Sequence, residues 1–490
     1  MNKTRHPTSS DLAGFFKPKS IAIIGVSRSV SSFGGMSFLN HFLKAGYPGT
    51  IYPINPRADD VQGIRAYPDL ASLPEIPDLV MIAIQAPAVP TILEECGRLG
   101  IRYIHILSAG FSELGTEEGA ILEKRVASIA AEHNLLIMGP NCMGPYCPAA
   151  KVTAWGAIPG KDGGLGIISQ SGGITQRLTE QVSSLGVGVS KAASIGNAAV
   201  LDSPDYLEYM ADDDDIDVIA MYLESVRDGR RLFELAQGAT PRKPIVLLKG
   251  GQTQVGAATV ASHTGSMAGN QCLWNAFFEQ TGVTPVSCMN EWADAILAFS
   301  SLPETAGDGV FIIGGGGGNS VIFSDGAVRE GLTVPSLSPE SMEVIRPMVP
   351  VAGSIAGNPL DLWETFVNGD RLCDLLDVAY RDPHVHMVIV DRLIPRIAFH
   401  SAEMPDPTPG IIDFIRTCDK RKPTVFTIDY DGGDLELNAQ GAALRCRFCE
   451  AGIPAYPSFE RAIRALAHFQ RYHHRLQKRT SRNQSFSEGA

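Results

Sequence analysis

The chain has 490 residues, 44% of them hydrophobic, with 50 glycines and a formal charge of −12 at pH 7. This length predicts about two to four domains, and an acidic chain without a strong basic patch is not expected to bind nucleic acid or an anionic membrane. The polar start MNKTRHPTSS has no signal-peptide core, no uncharged apolar run is long enough to span a bilayer, and the nine scattered cysteines suit a reducing, cytoplasmic location.

Apolar strand segments alternate with helical segments along almost the whole chain. Examples are SIAIIG at 20–25, GLGIISQSGG at 164–173, DVIAMYLE at 217–224 and GVFIIGGGGG at 309–318. Apolar, β-branched runs without polar alternation are typical of parallel strands that are buried on both faces. The pattern predicts an α/β protein with doubly wound sheets, in which ligands bind beyond the carboxyl ends of the strands.

An internal repeat divides the chain. TGVTPVSCMNEWADAILAF at 281–299 aligns with AGIPAYPSFERAIRALAHF at 451–469, and each copy follows a strand that is introduced by Arg-Lys-Pro. We therefore predict a nucleotide-binding-like domain over residues 1–150, two related α/β domains over 151–303 and 304–475, and a polar, disordered tail over 476–490.

The first strand and turn, IAIIGVSRSVSSFGG at 21–35, are suited to hold an anion. A glycine turn that enters a helix presents free backbone N–H groups and the positive end of the helix dipole to a phosphate. The second strand ends INPR, so Asn55 and Arg57 stand where an NAD site has an acidic residue for the ribose hydroxyls. This favours a ribose that carries an extra phosphate, as in NADP or coenzyme A, over NAD.

Further turns follow other strand ends. GPNCMG at 139–144 is either a binding turn or a structural one. SQSGG at 169–173 and GGGGGNS at 314–320 either hold phosphate at helix N-termini or only allow close packing, and two such turns could aim two helix dipoles at one phosphate. Glu224 ends the strand DVIAMYLE, where its carboxylate either orients an imidazole in the ligand crevice or is an ordinary surface acid.

His263 lies in VASHTGSMAGN at 260–270, a segment without apolar periodicity. The interval from Gly251 to Gly282 is 12 residues longer than the matching interval from Gly433 to Gly452 in the second copy of the repeat. A domain that closes without these residues in one copy does not need them for packing. We therefore interpret the segment as a mobile functional loop, the alternative being a tolerated surface insertion.

Few chemical roles are open to this histidine. A catalytic triad with Ser262 or Thr264 is poor geometry, because neighbouring side chains on an extended segment point apart. No other metal ligands lie near it in the sequence, so no metal site is expected on this chain. The remaining role for His263 is that of a nucleophile, since a neutral imidazole can attack phosphorus.

Together these motifs resemble those of the NDP-forming acyl-CoA synthetases, relatives of succinyl-CoA synthetase, and in particular the α subunits of the ADP-forming acetyl-CoA synthetase type. The likeness runs in order from IAIIGVSRS, INPR and GPNCMG to SQSGG and then to ASHTGSMAG, which looks like the family's phosphohistidine loop. It implies a Rossmann-like CoA-binding domain followed by two flavodoxin-like, succinyl-CoA-synthetase-like domains.

The resemblance also implies roles for residues of this chain. His263 would be phosphorylated, Glu224 would stabilise it, and Asn197 would contact the acyl carbonyl. The phosphate-binding residues would be Ser169, Ser171, Gly172, Gly173, Gly316, Gly317, Gly318 and Asn319. The CoA-binding residues would be Gly25, Ser27, Arg28, Asn55, Arg57, Pro87, Asn141 and Cys142. Val26 and Arg57 stand where the family often has alanine and lysine, and both keep the chemistry plausible.

Nothing in the chain looks like the ATP-grasp domain of family members that work alone. The resemblance therefore implies a separate ATP-grasp β subunit that holds ATP or ADP with Mg²⁺, in an α₂β₂ assembly. The implied reaction interconverts acyl-CoA, phosphate and ADP with a carboxylic acid, CoA and ATP through an acyl phosphate and a phosphohistidine. The alternatives are a non-catalytic CoA-binding or sensing protein that retains the fold, and an NADP oxidoreductase, for which no hydride-transfer residue is evident.

Overall fold

The computed structural model describes residues 9–27, 34–156, 161–264, 270–314, 316–349, 355–362, 365, 368–392, 406–429 and 433–487. The chain forms two compact units, the first made of Met1–Ser183 and Gly188–Met289 and the second of Ser184–Val187 and Asn290–Ala490. Within these described ranges, no helix is both long enough and apolar enough to cross a membrane.

The first unit begins with an α/β domain. Its elements are α1 Ala13–Phe16, β1 Ser20–Ile24, α2 Gly35–Ala45, β2 Thr50–Ile54, β3 Asp60–Val61, β4 Ile64–Arg65, β5 Leu79–Ile82, α3 Val89–Leu99, β6 Tyr103–Ile106, α4 Glu117–His133 and β7 Leu136–Met138. Five strands form a parallel sheet in the order β2-β1-β5-β6-β7. The chain continues on opposite sides of β1, so the carboxyl end of β1 is a switch point where a crevice opens.

A second α/β domain completes the first unit. Its elements are β8 Gly144–Cys147, β9 Val152–Thr153, β10 Leu165–Ser169, α5 Gly172–Ser184, β11 Val189–Ser194, α6 Ser203–Asp212, β12 Val218–Leu223, α7 Gly229–Ala239, β13 Ile245–Lys249, α8 Gln254–Thr264, α9 Gln271–Thr281 and β14 Thr284–Val286. The sheet order is β14-β13-β12-β10-β11-β8-β9, parallel except where β8 and β9 join it. Strands β10, β12 and β13 therefore end at one edge, which collects the side chains that follow them.

The second unit is built on a four-stranded parallel sheet. Its elements are α10 Met289–Ser301, β15 Val310–Ile313, α11 Gly316–Arg329, α12 Pro339–Ile345, α13 Gly369–Arg381, β16 Met387–Asp391, α14 Thr408–Thr417, β17 Thr424–Thr427, α15 Leu435–Glu450, β18 Ala455–Tyr456 and α16 Phe459–Ser487. The sheet order is β15-β16-β17-β18. Helices α10 and α16, the two copies of the sequence repeat, contact each other, because Arg461 donates two hydrogen bonds of 2.7 Å to the carboxylate of Asp294.

The predicted α/β architecture with parallel, doubly wound sheets is confirmed. The structure differs from the sequence prediction at two places. Residues 260–264, the start of the segment predicted as a loop, instead end helix α8, which spans Gln254–Thr264, because the alanines at 257, 258 and 261 favour helix. Residues 476–487, predicted to be disordered, continue helix α16, because this stretch is rich in Arg, Lys and Gln and has no glycine or proline.

Candidate active site

The turn after β1 brings backbone segments very close together. Gly25 has a φ of +96°, and a Cβ at this position would lie 2.2 Å from the carbonyl oxygen of Ala83. A Cβ at Gly35, the first residue of α2, would lie 2.7 Å from the carbonyl carbon of Gly25. Only glycine fits at either position, and the N-terminus of α2 therefore reaches the end of β1, where an anion is stabilised.

Asn55 supports this turn. Its Nδ2 donates to the carbonyl oxygen of Val26 at 2.7 Å, and its Oδ1 accepts from the backbone N–H of Arg57 at 2.8 Å. The amide therefore joins the end of β2 to the β1 turn. Of the other predicted CoA residues nearby, the side chains of Arg57 and Pro87 are exposed, Ser27 is half-buried, and Arg28 lies outside the described residues.

The turn between β7 and β8 carries the predicted thiol contacts. Asn141 has a φ of +57°, and its backbone N–H donates to the carbonyl oxygen of Ser108 at 3.0 Å. The Cys142 Sγ is buried 3.7 Å from the carbonyl oxygen of Ile106, and burial raises the pKa of the thiol. The thiol stays protonated, so Cys142 can line a site but does not supply a nucleophile.

His105, on β6, contacts the same turn through a hydrogen bond to the backbone of Cys142. The ring is fully buried, and burial lowers the pKa of His105 to about 4. The imidazole is therefore neutral near pH 7, and its Nε2 lies 3.0 Å from the carbonyl oxygen of Cys142, so Nε2 carries the proton and donates it.

Asn197, the predicted acyl contact, is held in a polar cluster between the two domains of the first unit. Its Nδ2 donates to Glu113 Oε2 at 2.6 Å and to Glu123 Oε2 at 2.8 Å, and its Oδ1 accepts from Asn141 at 3.2 Å. Arg227 donates to the backbone oxygen of Asn197 at 3.0 Å. Both amide protons of Asn197 are thus directed at carboxylates, and its role toward an acyl carbonyl stays a prediction.

Helix α5 begins at the predicted phosphate turn. Ser169 Oγ donates to the carbonyl oxygen of Ser171 at 2.9 Å and accepts from the N–H of the same residue at 3.2 Å. Ser171 Oγ accepts from the N–H of Ile174 at 3.4 Å and so caps the helix. The two serines shape the turn, and the glycines that follow them begin the helix.

These two glycines differ in what surrounds them. A Cβ at Gly172 would lie 2.2 Å from Cγ of Met143, whereas a Cβ at Gly173 would meet no atom within 4 Å. Gly172 is therefore needed for close packing. Gly173 leaves an open approach to the N-terminus of α5, where the helix dipole favours a negative charge.

Glu224 directly follows β12 and is 6% exposed. The hydroxyl of Tyr222 donates to Glu224 Oε1 at 3.0 Å. Gln170, which belongs to the SQSGG turn, accepts through its Oε1 from the backbone N–H groups of Glu224 at 2.6 Å and of Ser225 at 3.0 Å. Because β10 and β12 are neighbours, the side chain of Gln170 joins the turn before α5 to the backbone of Glu224, the residue that carries the buried carboxylate.

Lys249 ends β13 beside Glu224. Its Nζ donates to the backbone oxygens of Glu224, at 2.8 Å, and of Gly250, and lies 5.2 Å from the centroid of the Trp274 ring. Burial lowers the pKa of Lys249 to about 8, and the charge of Glu224 opposes this shift. The ammonium group therefore ties the ends of β12 and β13 to α9.

His263 lies on the segment between Lys249, at the end of β13, and Trp274, on α9. Helix α8 ends at Thr264, and Trp274 is in the first turn of α9. The side chains of 261–264 and all of 265–269 are outside the described residues. The backbone thus places His263 on a segment that starts and ends beside Lys249.

Consecutive parts of the chain match three family profiles: a CoA binding domain over residues 19–148, a succinyl-CoA ligase like flavodoxin domain over 162–299 and a Ligase-CoA domain over 310–473. The chain is 34% identical over 464 residues to the α subunit of ADP-forming acetate–CoA ligase I from Pyrococcus furiosus, an alignment that covers 93% of this chain and 96% of the relative. The chain belongs to the NDP-forming acyl-CoA synthetases.

Other members of the family match over a similar part of this chain. The ADP-forming acetate–CoA ligase of Methanocaldococcus jannaschii is 33% identical over 93% of this chain, which spans 62% of that longer relative. The structure of dinucleotide-forming acetyl-coenzyme A synthetase 1 of Ca. Korarchaeum cryptofilum, in complex with phosphate and ADP, superposes with a TM-score of 0.85 at 29% identity, covering 96% of this chain and 99% of the other. The predicted family, with an α subunit of the acid–thiol ligase class, is confirmed.

In this acyl-CoA synthetase the glycine turn before α11, in the second unit, differs from the turn before α5. Gly316 has a φ of +74°, and its backbone N–H hydrogen bonds to the carboxylate of Asp361, whose pKa is raised by burial. A Cβ at Gly317 would lie 3.8 Å from Asp361 Oδ2. A carboxylate therefore already lies at the start of α11, and phosphate binding by this turn, including Gly318 and Asn319, stays a prediction.

Several residues of the candidate site were missed from the sequence. Gln170 and Lys249 each stand at the carboxyl end of an apolar strand. Glu224 was identified from the sequence by the same position, which could also have indicated these two residues. Glu113 and Glu123 come from a turn and a helix of the first domain, and nothing in their local sequence relates them to Asn197.

Proposed function

We propose that the chain is the catalytic α subunit that interconverts acyl-CoA, phosphate and ADP with a carboxylic acid, CoA and ATP. The observation that carries this proposal is the pair of hydrogen bonds from Glu224 and Ser225 to Gln170. They hold an anion-binding helix end and a buried carboxylate at one sheet edge, beside the segment that carries His263. Phosphoryl transfer depends mainly on such positioning and on electrostatic stabilisation.

In the proposed first step, phosphate at the N-terminus of α5 attacks the thioester carbonyl of acyl-CoA. The carbon–sulfur bond breaks, CoA leaves as the thiol with the proton released by phosphate, and an acyl phosphate forms. The open position at Gly173 supports this placement, because the helix end stabilises the negative charge of the phosphate. Cys142 takes no covalent part, since burial keeps its thiol protonated.

In the second step, the imidazole of His263 attacks the phosphorus of the acyl phosphate. The bond between phosphorus and the acyl oxygen breaks, the carboxylate leaves, and Glu224 stabilises the positive charge that develops on the ring. ADP on the partner subunit then takes the phosphoryl group and becomes ATP. Each step is reversible.

The nucleotide half of the reaction is assigned to a separate ATP-grasp β subunit that holds ADP and Mg²⁺, in an α₂β₂ assembly. The α-subunit name of the Pyrococcus furiosus relative and the greater length of the Methanocaldococcus jannaschii relative support a division into two chains. All nine cysteines lie within the described residues and are free, which supports the proposed cytoplasmic location.

The test is phosphorylation of the chain from both directions. Labelled ATP with Mg²⁺ and an ATP-grasp partner, or acyl-CoA with labelled phosphate, is expected to give an acid-labile, base-stable label on a peptide that contains His263. Without the partner subunit, labelled ATP should no longer label the chain, whereas acyl-CoA with labelled phosphate should still do so. If CoA binds but neither route labels the chain, the protein is a CoA-binding protein without catalysis.

The glycines of α5 provide a sharper prediction for the phosphate site. In Gly173→Ala the KM for phosphate should rise about tenfold or more, equivalent to about 1.4 kcal/mol, because the new methyl group stands in the open approach. The melting temperature should stay about the same, since the new methyl group meets no atom within 4 Å. Gly172→Ala is the matched variant and should lower the melting temperature, because Met143 must move. An unchanged phosphate KM in Gly173→Ala would place the anion elsewhere.

A further inference from the structure

Lys249 is a buried amine to which the proposed reaction gives no role. It ends β13, at the sheet edge that also holds Glu224, and it is 3% exposed. A lysine this deeply buried is rare unless its charge has partners, because the removal of an ammonium group from water is costly. The contacts of Lys249 therefore indicate what its charge does.

The ammonium group of Lys249 has three N–H bonds, and the structure provides three partners. Two are the backbone oxygens of Glu224, at 2.8 Å, and of Gly250. The third is the ring of Trp274, whose centroid lies 5.2 Å from Nζ, within the range of a cation–π interaction. Each N–H bond thus has a partner within the described structure, so we assign Lys249 no direct contact with phosphate or with the reacting atoms.

The backbone of Glu224 is held from both sides. Its N–H donates to Gln170 Oε1 at 2.6 Å, and its carbonyl oxygen accepts from Lys249 at 2.8 Å. Gln170 follows β10 and Lys249 ends β13, the two strands that flank β12. The hydroxyl of Tyr222 fixes the carboxylate itself, because it donates to Oε1 at 3.0 Å. The position of this carboxylate is therefore set from both neighbouring strands.

Trp274, the third partner of the ammonium group, is itself fixed by packing. It is 8% exposed, and its ring contacts those of Phe277 and Phe278, with centroids 5.4 and 6.0 Å away. One ammonium group thus joins the end of β12 to the start of α9. The chain between Lys249 and Trp274 includes His263.

We propose that Lys249 is a positioning residue for the phosphoryl transfer. Its ammonium group fixes the end of β12 to α9, so that the carboxylate of Glu224 and the segment that carries His263 keep one position relative to each other. The two charges of Lys249 and Glu224 attract, and this attraction offsets part of the cost of burying the carboxylate. The inference rests on the proposed function, because it uses the roles proposed for Glu224 and His263.

The charge of Lys249 is lost at moderately alkaline pH. Burial lowers the pKa of Lys249 to about 8, and the charge of Glu224 opposes this shift. Burial raises the pKa of Tyr222, so its hydroxyl remains a donor to Glu224 over the same pH range. One pH unit above the pKa of a lysine, about one-tenth of the ammonium form is left. Phosphorylation of the chain should therefore slow as the pH rises through the pKa of Lys249.

Labelled acetyl phosphate tests the inference on the full chain, because it supplies an acyl phosphate directly. In this step the imidazole of His263 attacks phosphorus, the bond to the acyl oxygen breaks and acetate leaves. Lys249→Met keeps the length of the side chain without the charge. It should slow labelling about tenfold or more near neutral pH, the loss typical of a removed orienting group. The acetyl phosphate concentration that gives half the maximal rate should stay within about threefold, since Lys249 does not contact the phosphate.

Lys249→Arg provides the control for the pH profile, because a guanidinium group stays charged. The wild-type rate should fall about fivefold or more from pH 7 to pH 9. The rate of Lys249→Arg should start within about fivefold of the wild type and stay level over this range. Tyr222 and Cys272, an exposed thiol on α9, are present in both proteins, so their ionisation cannot produce the difference.

Lys243→Met is the matched structural control. Lys243 lies just before β13 and donates to the backbone oxygens of Met210, at 3.2 Å, and of Asp213. It therefore joins backbone segments as Lys249 does, but at the opposite end of the same strand. Its replacement should lower the melting temperature and leave the rate of labelling within about twofold, because distant sites act independently.

The outcomes separate this inference from the proposed function. A labelling rate in Lys249→Met equal to that of Lys243→Met, or the same fall with pH in Lys249→Arg as in the wild type, would overturn the inference. If Lys249→Met does not fold, the two pH profiles decide. No label on the wild type would instead contradict the proposed attack by His263, and the inference would fall with that step.

Discussion

Replacing His263 with alanine is expected to abolish acyl-CoA synthesis and its reverse, with a loss of at least about 10³-fold in turnover. The reason is that the phosphoryl group passes from the acyl phosphate to ADP only through this imidazole, so the variant has no route between the two. CoA binding should stay unchanged, because the predicted CoA residues lie on the first domain and on the turn after β7. Steady-state rates in both directions, with the ATP-grasp partner present, measure the first effect, and calorimetry with CoA measures the second.

The matched control is His474→Ala, which removes an exposed histidine of α16 in the second unit. It should keep full turnover and the acid-labile label. A second measurement distinguishes loss of the nucleophile from loss of the assembled site. In His263→Ala, acyl-CoA and phosphate should still produce acyl phosphate, because that step does not use the imidazole. Turnover that survives His263→Ala would refute the assignment of the nucleophile.

Glu224→Gln should slow phosphorylation of the chain by about 10- to 100-fold while the fold is kept, the range expected when a group that orients a reactive residue is replaced. Glutamine keeps the shape and can still accept from Tyr222, which now donates to Glu224 Oε1 at 3.0 Å. It removes the negative charge that would stabilise an imidazolium. Rapid-quench measurement of the labelled chain gives the rate, and thermal unfolding reports the fold.

Glu234→Gln is the control for this change, since Glu234 is 61% exposed on α7 and pairs only with the neighbouring Arg230 among the described contacts. It should leave the rate of labelling within about twofold, as is usual for exposed ion pairs. A rate of labelling in Glu224→Gln equal to that of the control would show that Glu224 has no part in stabilising the phosphohistidine. The only role of the carboxylate would then be structural, at the end of β12.

The glycine turns show how far local sequence can be interpreted. Both turns have the pattern of a strand, glycines and a helix start, and from the sequence both were expected to hold phosphate. At the start of α5 the two serines hydrogen bond to each other, and the space beside Gly173 contains no atom within 4 Å of the position that a Cβ would take. At the start of α11 the carboxylate of Asp361 accepts a hydrogen bond from the N–H of Gly316. Asp361 is 45 residues away from Gly316 in the sequence, so no local pattern could indicate it.

Asn197 shows the same limit for side-chain roles. Its place after strand β11 was evident from the sequence, and a free amide at a strand end is a reasonable ligand contact. Its protons are in fact directed at Glu113 and Glu123, which belong to a different sheet domain. Hydrogen-bond partners depend on which surfaces meet, and this is decided by packing between domains.

The sequence by itself determined the alternation of buried parallel strands and helices, the order of the domains, the family and the placement of Glu224 and SQSGG at strand ends. These follow from local periodicity and from glycine at turns, because a strand buried on both faces must be apolar throughout and must end where polar residues begin. Only the tertiary structure decided that Gln170 joins the α5 turn to the backbone of Glu224, and that Lys249 connects two strand ends to Trp274. Each of these joins residues that are far apart in the chain, so they arise from the close packing of the assembled core and not from any one segment.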